Sequence, residues 1–259
     1  MENPISQPRT PFAREGFTTD LSRRILESEE IISGIEGERY ANRIDDRSLT
    51  FKLVASDVVE SAGLKEDSRV LEVCCAAGQL AKELSVYVKP ENITASDGGV
   101  ELINAANSRY GSLGIKFEVQ DVHEMNQSSD FDCVICKDSF HHFPDPVASI
   151  KELMKPLKKG GVLYIFDLCR AVKDVQVEHR ESLIVNDHEA MRFLRSLNAS
   201  HTPAEFLEYA KEAGVQDLEI KYPFQYSDEN IKKHEKELLA DKVKEFEMDT
   251  LFAVYLLRK

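Results

Sequence analysis

The sequence predicts an α/β chain: a doubly wound, mostly parallel seven-stranded sheet, with helices ahead of it and a helical lid. Three observations predict this class. From residue 69 onward, short apolar runs alternate with helical stretches of about 10 to 15 residues, the pattern of βαβ units whose sheet is covered on both faces. The first run closes in small residues, Cys74-Cys75-Ala76-Ala77-Gly78, a turn that lets backbone approach a ligand at the carboxyl edge of such a sheet. The length of 259 residues, with 42% hydrophobic and 31% charged residues, suits one large core with a lid and excludes a disordered chain.

Taken in order, residues 1–16 read as a flexible arm, because Pro4, Pro8 and Pro11 interrupt any regular pattern. Residues 17–68 read as an N-terminal helical cap. Apolar residues at helical spacing predict one helix over 19–32 (Leu21, Ile25, Leu26) and another over 48–61 (Leu49, Leu53, Val54, Val58), the second ended by Gly63. Residues 69–259 form the predicted core. Its strands are expected at 68–75, 92–97, 115–121, 131–138 and 162–168, with helices over 78–88, 100–110 and 146–157 and a Lys-Lys-Gly-Gly turn at 158–161. The alternation then stops over 169–201, read as a lid insertion of irregular chain and helix. It resumes with a complete helix start: Thr202 as cap, Pro203 at the first helical position, Glu205 closing a capping box, and Gly214 beyond the end. A strand at 217–224 follows. A charged amphipathic stretch over 228–247 (Ile231, Leu238, Leu239, Val243, Phe246) reads as a surface helix or a dimer contact, and a last strand at 250–259 ends the chain.

Charge narrows the partners. The formal net charge of −13 repels a phosphate backbone, so nucleic acid is not an expected partner. The longest apolar stretches are strand-sized, which predicts no membrane span, and the N-terminus lacks the apolar core of a secretory signal. Five cysteines, an odd set without a disulfide framework, fit a reducing cytoplasmic location.

The motifs along the carboxyl edge carry the chemistry. Only Gly78 of a three-glycine dinucleotide fingerprint is present. Asp97 closes the second core strand 19 residues later, the spacing at which an acid meets ribose hydroxyls. Asp121 closes the third strand, Cys-Lys-Asp-Ser-Phe-His-His-Phe-Pro-Asp-Pro follows the fourth, and Leu-Lys-Lys-Gly-Gly-Val-Leu-Tyr-Ile-Phe-Asp leads into the fifth. In this order the motifs resemble the class I S-adenosylmethionine-dependent methyltransferases, particularly the small-molecule branch, over about 69–167 strongly and 202–259 in outline. The Cys-Cys pair is similar to the first motif of some quinone methyltransferases.

The resemblance implies a Rossmann-like methyltransferase fold, S-adenosyl-L-methionine as cofactor and a small-molecule methyl acceptor. It places Glu72 as the acid organising the first loop around the methionine moiety, Cys74, Ala76 and Gly78 in that loop, Asp97 with Gly98 at the ribose, Asp121 and Val122 beside the adenine, and the backbone of Lys137 facing the cofactor. It also fits the last two strands to a terminal antiparallel hairpin. Ala76 stands at the position of a central glycine, where a positive φ would cost on the order of 1 kcal/mol. This departure motivates the alternative of a cofactor-binding protein with a regulatory or non-methylating role. A nicotinamide oxidoreductase would call for a fuller glycine fingerprint and a hydride-transfer pair, and the sequence offers neither.

In-line methyl transfer rests mainly on positioning and exclusion of water, with a base assisting where the acceptor carries a proton. His141, His142 and Asp138 are the candidates for contact with the acceptor, a structural role in the turn being the alternative for each. Glu178, His179, Asp187, His188 and His201 lie in or beside the expected lid, and Tyr40 and Arg43 are placed to close the pocket from the N-terminal side. Cys133 and Cys136, three apart on a strand, point to opposite faces and do not make a zinc or redox pair. No metal site is expected, apart from the geometric option that Cys74, Cys75, Cys136 and Cys169 gather at the edge as a thiol cluster; small buried hydrophobes are the alternative. The oligomeric state is read as monomer or homodimer.

Overall fold

A computed structural model of the chain describes residues 12–14, 17–27, 34–43, 48–126, 129–172, 174, 176–178, 187–222 and 251–259. Strands β1 (Phe12–Arg14) and β2 (Phe17–Thr19) pair antiparallel as a small separate hairpin. The helix expected from residue 19 does not form in the described part: beyond Asp20 the chain continues to Glu27 as turn and irregular backbone. Local and tertiary bonds outweigh the helical spacing here. Asp20 Oδ1 accepts from the Ser22 amide at 3.0 Å. The Arg24 guanidinium donates to the carbonyls of Ala199, His141 and Phe143 at 2.8, 3.0 and 2.8 Å. Helices α1 (Gly34–Arg43) and α2 (Ser48–Ala62) follow, and α2 stops before Gly63, whose φ of 63° ends the helix as its position predicts.

The core is the expected seven-stranded sheet. Its strands are β3 (Val70–Val73), β4 (Ile93–Asp97), β5 (Lys116–Val119), β6 (Phe131–Lys137), β7 (Leu157–Leu168), β8 (Leu218–Lys221) and β9 (Phe252–Arg258), in the order β5-β4-β3-β6-β7-β9-β8. Strands β3 to β7 pair in parallel, whereas β9 is antiparallel to both β7 and β8. Helices α3 (Gln79–Leu84), α4 (Val100–Tyr110) and α5 (Pro146–Met154) are the crossovers; α6 (Asp187–Ala199) and α7 (Pro203–Glu212) precede β8.

Both faces are filled by alternation along the strands. Cys133 and Ile135 face one layer with Leu80 and Leu84 of α3, Ile103 of α4 and Val54 and Val58 of α2. Val134 and Cys136 face the other with Ile150 and Leu153 of α5 and Phe206 of α7. The Cys133-Cys136 pair is thus split between layers, as a period of two requires. A hydrogen bond of 2.6 Å from Tyr164 Oη to Asp57 Oδ2 fastens α2 to β7 across the first layer.

The expected Lys-Lys-Gly-Gly turn is instead a bulge inside β7. Phe131 pairs with Leu157, yet Cys133 pairs with Val162, so the extra residues are looped out. Glycine permits it: Gly160 has φ 80°, and a Cβ on Gly161 would meet the carbonyl oxygens of Phe131 and Asp132 at 3.0 and 3.1 Å. The capping box of α7 forms as its sequence predicts, with Glu205 N donating to Thr202 Oγ1 at 3.2 Å and Thr202 N to Glu205 Oε2 at 2.8 Å. The amphipathic stretch over 228–247 lies outside the described residues, as does residue 179.

Candidate active site

Strand β3 ends at Val73, and the next five residues turn sharply into α3. Cys74 and Ala76 have φ of 52° and 48°, and Gly78 φ of 81°. Gly78 is required here on two counts, since its own Cβ would also lie 2.7 Å from Cε1 of Phe117 on β5. Ala76 accepts the left-handed conformation that a glycine would adopt freely, and its methyl packs half-buried with Ala41, Ala77 and Leu102. Tyr40 of α1, expected to close the pocket from the N-terminal side, packs in the same cluster and carries Arg192 over its ring at 5.9 Å. The side chain of Arg43 lies outside the described residues.

Asp97, at the end of β4, holds the loop from the next strand. Its Oδ2 accepts from Ala76 N at 2.9 Å and its Oδ1 from Gly99 N at 2.8 Å, so one carboxylate joins the turns after β3 and β4. Burial pushes its pKa up, and these two amide bonds pull against that. Gly98 is exposed between them on the edge. Asp121 is exposed beyond β5 and accepts from His123 N at 2.8 Å, while Val122 and Cys74 both pack against the second layer.

Glu72 lies on β3, 3% exposed. Burial raises its pKa to about 8, opposed by the nearby Lys137 ammonium and a bond from the Ala81 amide and reinforced by Asp97. Its Oε2 has no hydrogen-bond partner among the described residues. Lys137 closes β6 with its side chain, rather than its backbone alone, turned into the site: the ammonium lies 5.0 Å from the ring centre of Phe51 and 5.3 Å from that of Phe166, and pairs with the Asp138 carboxylate. Asp138 has φ 53°, and its Oδ1 is buried with no partner among the described residues.

The two histidines separate in environment. His141, 3% exposed, is pinned by Asp167 at the end of β7: its amide donates to Oδ2 at 2.7 Å and its Nδ1 meets Oδ1 at 2.6 Å. Burial lowers its pKa but the Asp167 carboxylate outweighs it, for a net rise. His142 is half-buried; burial, then the neighbouring His141 and Arg192, hold its pKa down at about 3. Its Nδ1 lies 3.8 Å from Glu27 Oε2. Sequence reasoning assigned no role to Asp167 or Glu27. The Phe-Asp end of β7 was a visible signal for the first, whereas Glu27 reaches this turn through a non-helical segment that Arg24 ties to the carbonyls of His141 and Phe143.

Other expected positions fall elsewhere. His201 is buried against Phe140, Phe206 and Tyr209 rather than on a lid surface, because it forms a bridge with Cys169 at the end of β7. Glu178 is exposed. Asp187 and His188 open α6, and their side chains, like His179, lie outside the described residues. The four-thiol cluster does not assemble. Cys75 packs in the first layer and Cys74, Cys136 and Cys169 in the second, since the turn after β3 carries Cys74 and Cys75 to opposite sides; Cys74 meets Cys136. All five thiols are free.

A parallel sheet with a reversed seventh strand and a strained acidic edge defines the class, a Rossmann-like methyltransferase fold. The chain belongs to a methyltransferase-domain family: the family model described as "Methyltransferase domain" matches residues 64–241. A ubiquinone biosynthesis O-methyltransferase of Xanthomonas axonopodis pv. citri is 30% identical over 159 residues, covering 58% of this chain and 63% of that protein. The chain thus spans somewhat less than two thirds of the length of that curated relative. Among solved structures, the plantazolicin methyltransferase BamL in complex with a triazolic desmethylPZN analog and SAH superposes with a TM-score of 0.66 at 15% identity, covering 86% of this chain and 90% of that one. A SAM-dependent methyltransferase from Thermotoga maritima gives a TM-score of 0.54 at 16% identity, covering 86% and 97%. These last two likenesses concern the fold.

Proposed function

We propose that the protein is an S-adenosylmethionine-dependent methyltransferase acting on a small-molecule acceptor. The observation that carries this reading is the double tie of Asp97 to the amides of Ala76 and Gly99, which joins the turns after two neighbouring strands into one edge. The residues present fit such a cofactor: Glu72 Oε2 and Asp138 Oδ1 are buried oxygens without partners among the described residues, and Gly78 keeps the turn free of a side chain. When bound, the cofactor supplies an electrophilic methyl group on a sulfonium.

The chain's own part is to bind, orient and exclude water. Asp97 retains lone pairs for ribose hydroxyls beyond the two amides it already accepts. Gly98 leaves the ribose side open, Asp121 and Val122 flank the adenine position, and the turn through Cys74 takes the methionine end above Glu72. Lys137 opposes the rise in the Glu72 pKa and pairs with the Asp138 carboxylate. Asp138 and His142, partly open to the edge, are the proposed contacts to the acceptor, and a neutral His142 offers one of its ring nitrogens to a hydroxyl or amine. His141 is closed off from solvent and is proposed as the residue that holds this turn through Asp167.

The acceptor is proposed to be small because the net charge of −13 opposes nucleic acid. Among the described residues no helix is long and apolar enough to cross a membrane. The free thiols fit a reducing cytoplasm, and monomer and homodimer are both compatible with the proposal.

Calorimetry with S-adenosylmethionine, S-adenosylhomocysteine and NADH tests the reading. Both sulfur ligands are expected to bind, and Asp97→Ala to weaken them at least tenfold by unfastening the loop and removing the ribose acceptor. Binding of NADH alone would overturn the proposal.

A further inference from the structure

The turn after β6 brings together three side chains that methyl transfer does not call for as a group. One nitrogen of His141, one of His142 and one carboxylate oxygen of Glu27 all lie within 4.8 Å of one another. No other group of three such side chains is found among the described residues. We propose that Glu27, His141 and His142 form a binding site for a divalent transition-metal ion of the zinc class, with Asp167 as the carboxylate behind one of its histidines.

Four observations carry this. First, the ligand set is two imidazoles and one carboxylate, the combination that holds zinc with a further position open. Second, His141 is prepared as a ligand. Its Nδ1 is engaged by Asp167 Oδ1 at 2.6 Å, which fixes the ring and leaves Nε2 as the ligating nitrogen. That Nε2 is buried and has no hydrogen-bond partner among the described residues, in a residue only 3% exposed. A buried imidazole nitrogen left unsatisfied is costly, and a metal bond removes that cost. Third, the buried Nδ1 of His142 likewise has no hydrogen-bond partner among the described residues. Fourth, the separations are nearly right. Bonds of about 2.0 to 2.2 Å at tetrahedral angles set ligands roughly 3.4 Å apart. His142 Nδ1 and Glu27 Oε2 are at 3.8 Å, and the three ligand atoms all lie within 4.8 Å of one another.

The charge balance is favourable as well. Glu27 and Asp167 together match a divalent cation, and the chain's net charge of −13 draws cations toward it. Arg24 stands nearby but is committed to the carbonyls of Ala199, His141 and Phe143, and Arg192 lies over the ring of Tyr40. Glu27 Oε2 already accepts from Ser196 Oγ at 3.0 Å, a bond that orients the carboxylate without using up its oxygens. An ion here would tie the segment before α1 to the edge of the sheet, beside the proposed acceptor contacts.

Equilibrium dialysis of the full chain against zinc, followed by metal analysis, and titration with cobalt as a spectroscopic substitute test the proposal. One zinc per chain and the intense visible absorption of four-coordinate cobalt are expected. Glu27→Gln and His142→Ala, both partly exposed positions, should each lower the affinity at least tenfold, and the double variant should lose the band while melting as the wild type does. Absence of bound zinc and of the cobalt band in the wild type, or the same stoichiometry and spectrum in the double variant, overturns the proposal. Calorimetry with S-adenosylhomocysteine on the same preparations is a separate readout, so failure of cofactor binding and failure of metal binding are distinguishable.

Discussion

Ala76 holds φ of 48° in a turn where glycine has no steric penalty, and Cys74 and Asp138 share that left-handed region on the same edge. Each such residue costs about 1 to 2 kcal/mol, retained because the surrounding bonds fix it. For Ala76 the fixing bond is the amide donated to Asp97. Replacing Ala76 by glycine relieves the steric cost but adds freedom to the unfolded chain, for a net gain of about 0.5 to 1 kcal/mol. The urea midpoint of Ala76→Gly should therefore rise, and a fall would show that its methyl contacts with Ala41 and Leu102 outweigh the strain. The sequence identified Ala76 as the departure from the glycine pattern, and it placed Asp97. It did not show that both oxygens of Asp97 are bonded to backbone, because a strand-end acid looks the same whether it faces a ligand or the neighbouring loop.

Helix α7 is the element most fully legible in the sequence. Thr202, Pro203 and Glu205 occupy the positions that local bonding requires, and the box forms among residues three apart, so no distant partner is needed. Glu205 has a second partner that local reasoning could not reach. Its two oxygens also meet Nη2 of Arg170, a residue 2% exposed, at 2.5 and 2.7 Å. Thr202→Ala removes one cap bond and should cost about 1 kcal/mol. Glu205→Ala takes the carboxylate from a buried guanidinium and should cost about 3 kcal/mol or more. Thermal unfolding of the two variants checks this order, and equal losses would refute the second role of Glu205. The segment around Arg24 is the opposite case. Its apolar spacing predicts a helix, but a guanidinium bonded to three carbonyls from two distant turns sets the backbone instead.

For the whole molecule, the acidic edge links stability to pH. Glu72 titrates near 4.5 in an ordinary setting and near 8 in the fold, so between those values the native chain holds a proton that the unfolded chain has released. Stability contributed at this position is therefore lost as pH rises from about 4.5 to 8, and Glu72→Gln should abolish that component. Denaturant unfolding of both proteins from pH 5 to 9 is expected to show the variant gaining on the wild type as pH rises; a constant difference would falsify the assignment. The architecture itself was written in the chain: short apolar runs, crossover helices and turn residues fix a sheet, because strands buried on both faces admit few arrangements. Which side chains meet at its edge was decided only in three dimensions. The sequence brought Asp97, Gly78 and the two histidines to the right strand ends. It left Asp167 and Glu27 without roles and offered four cysteines as a cluster from which the opposite face of the sheet keeps Cys75 apart. The physical reason is that periodicity reports which way a residue faces along its own element, whereas contact between elements depends on register, bulges and single long-range bonds such as those of Arg24 and Asp167, which leave no periodic trace.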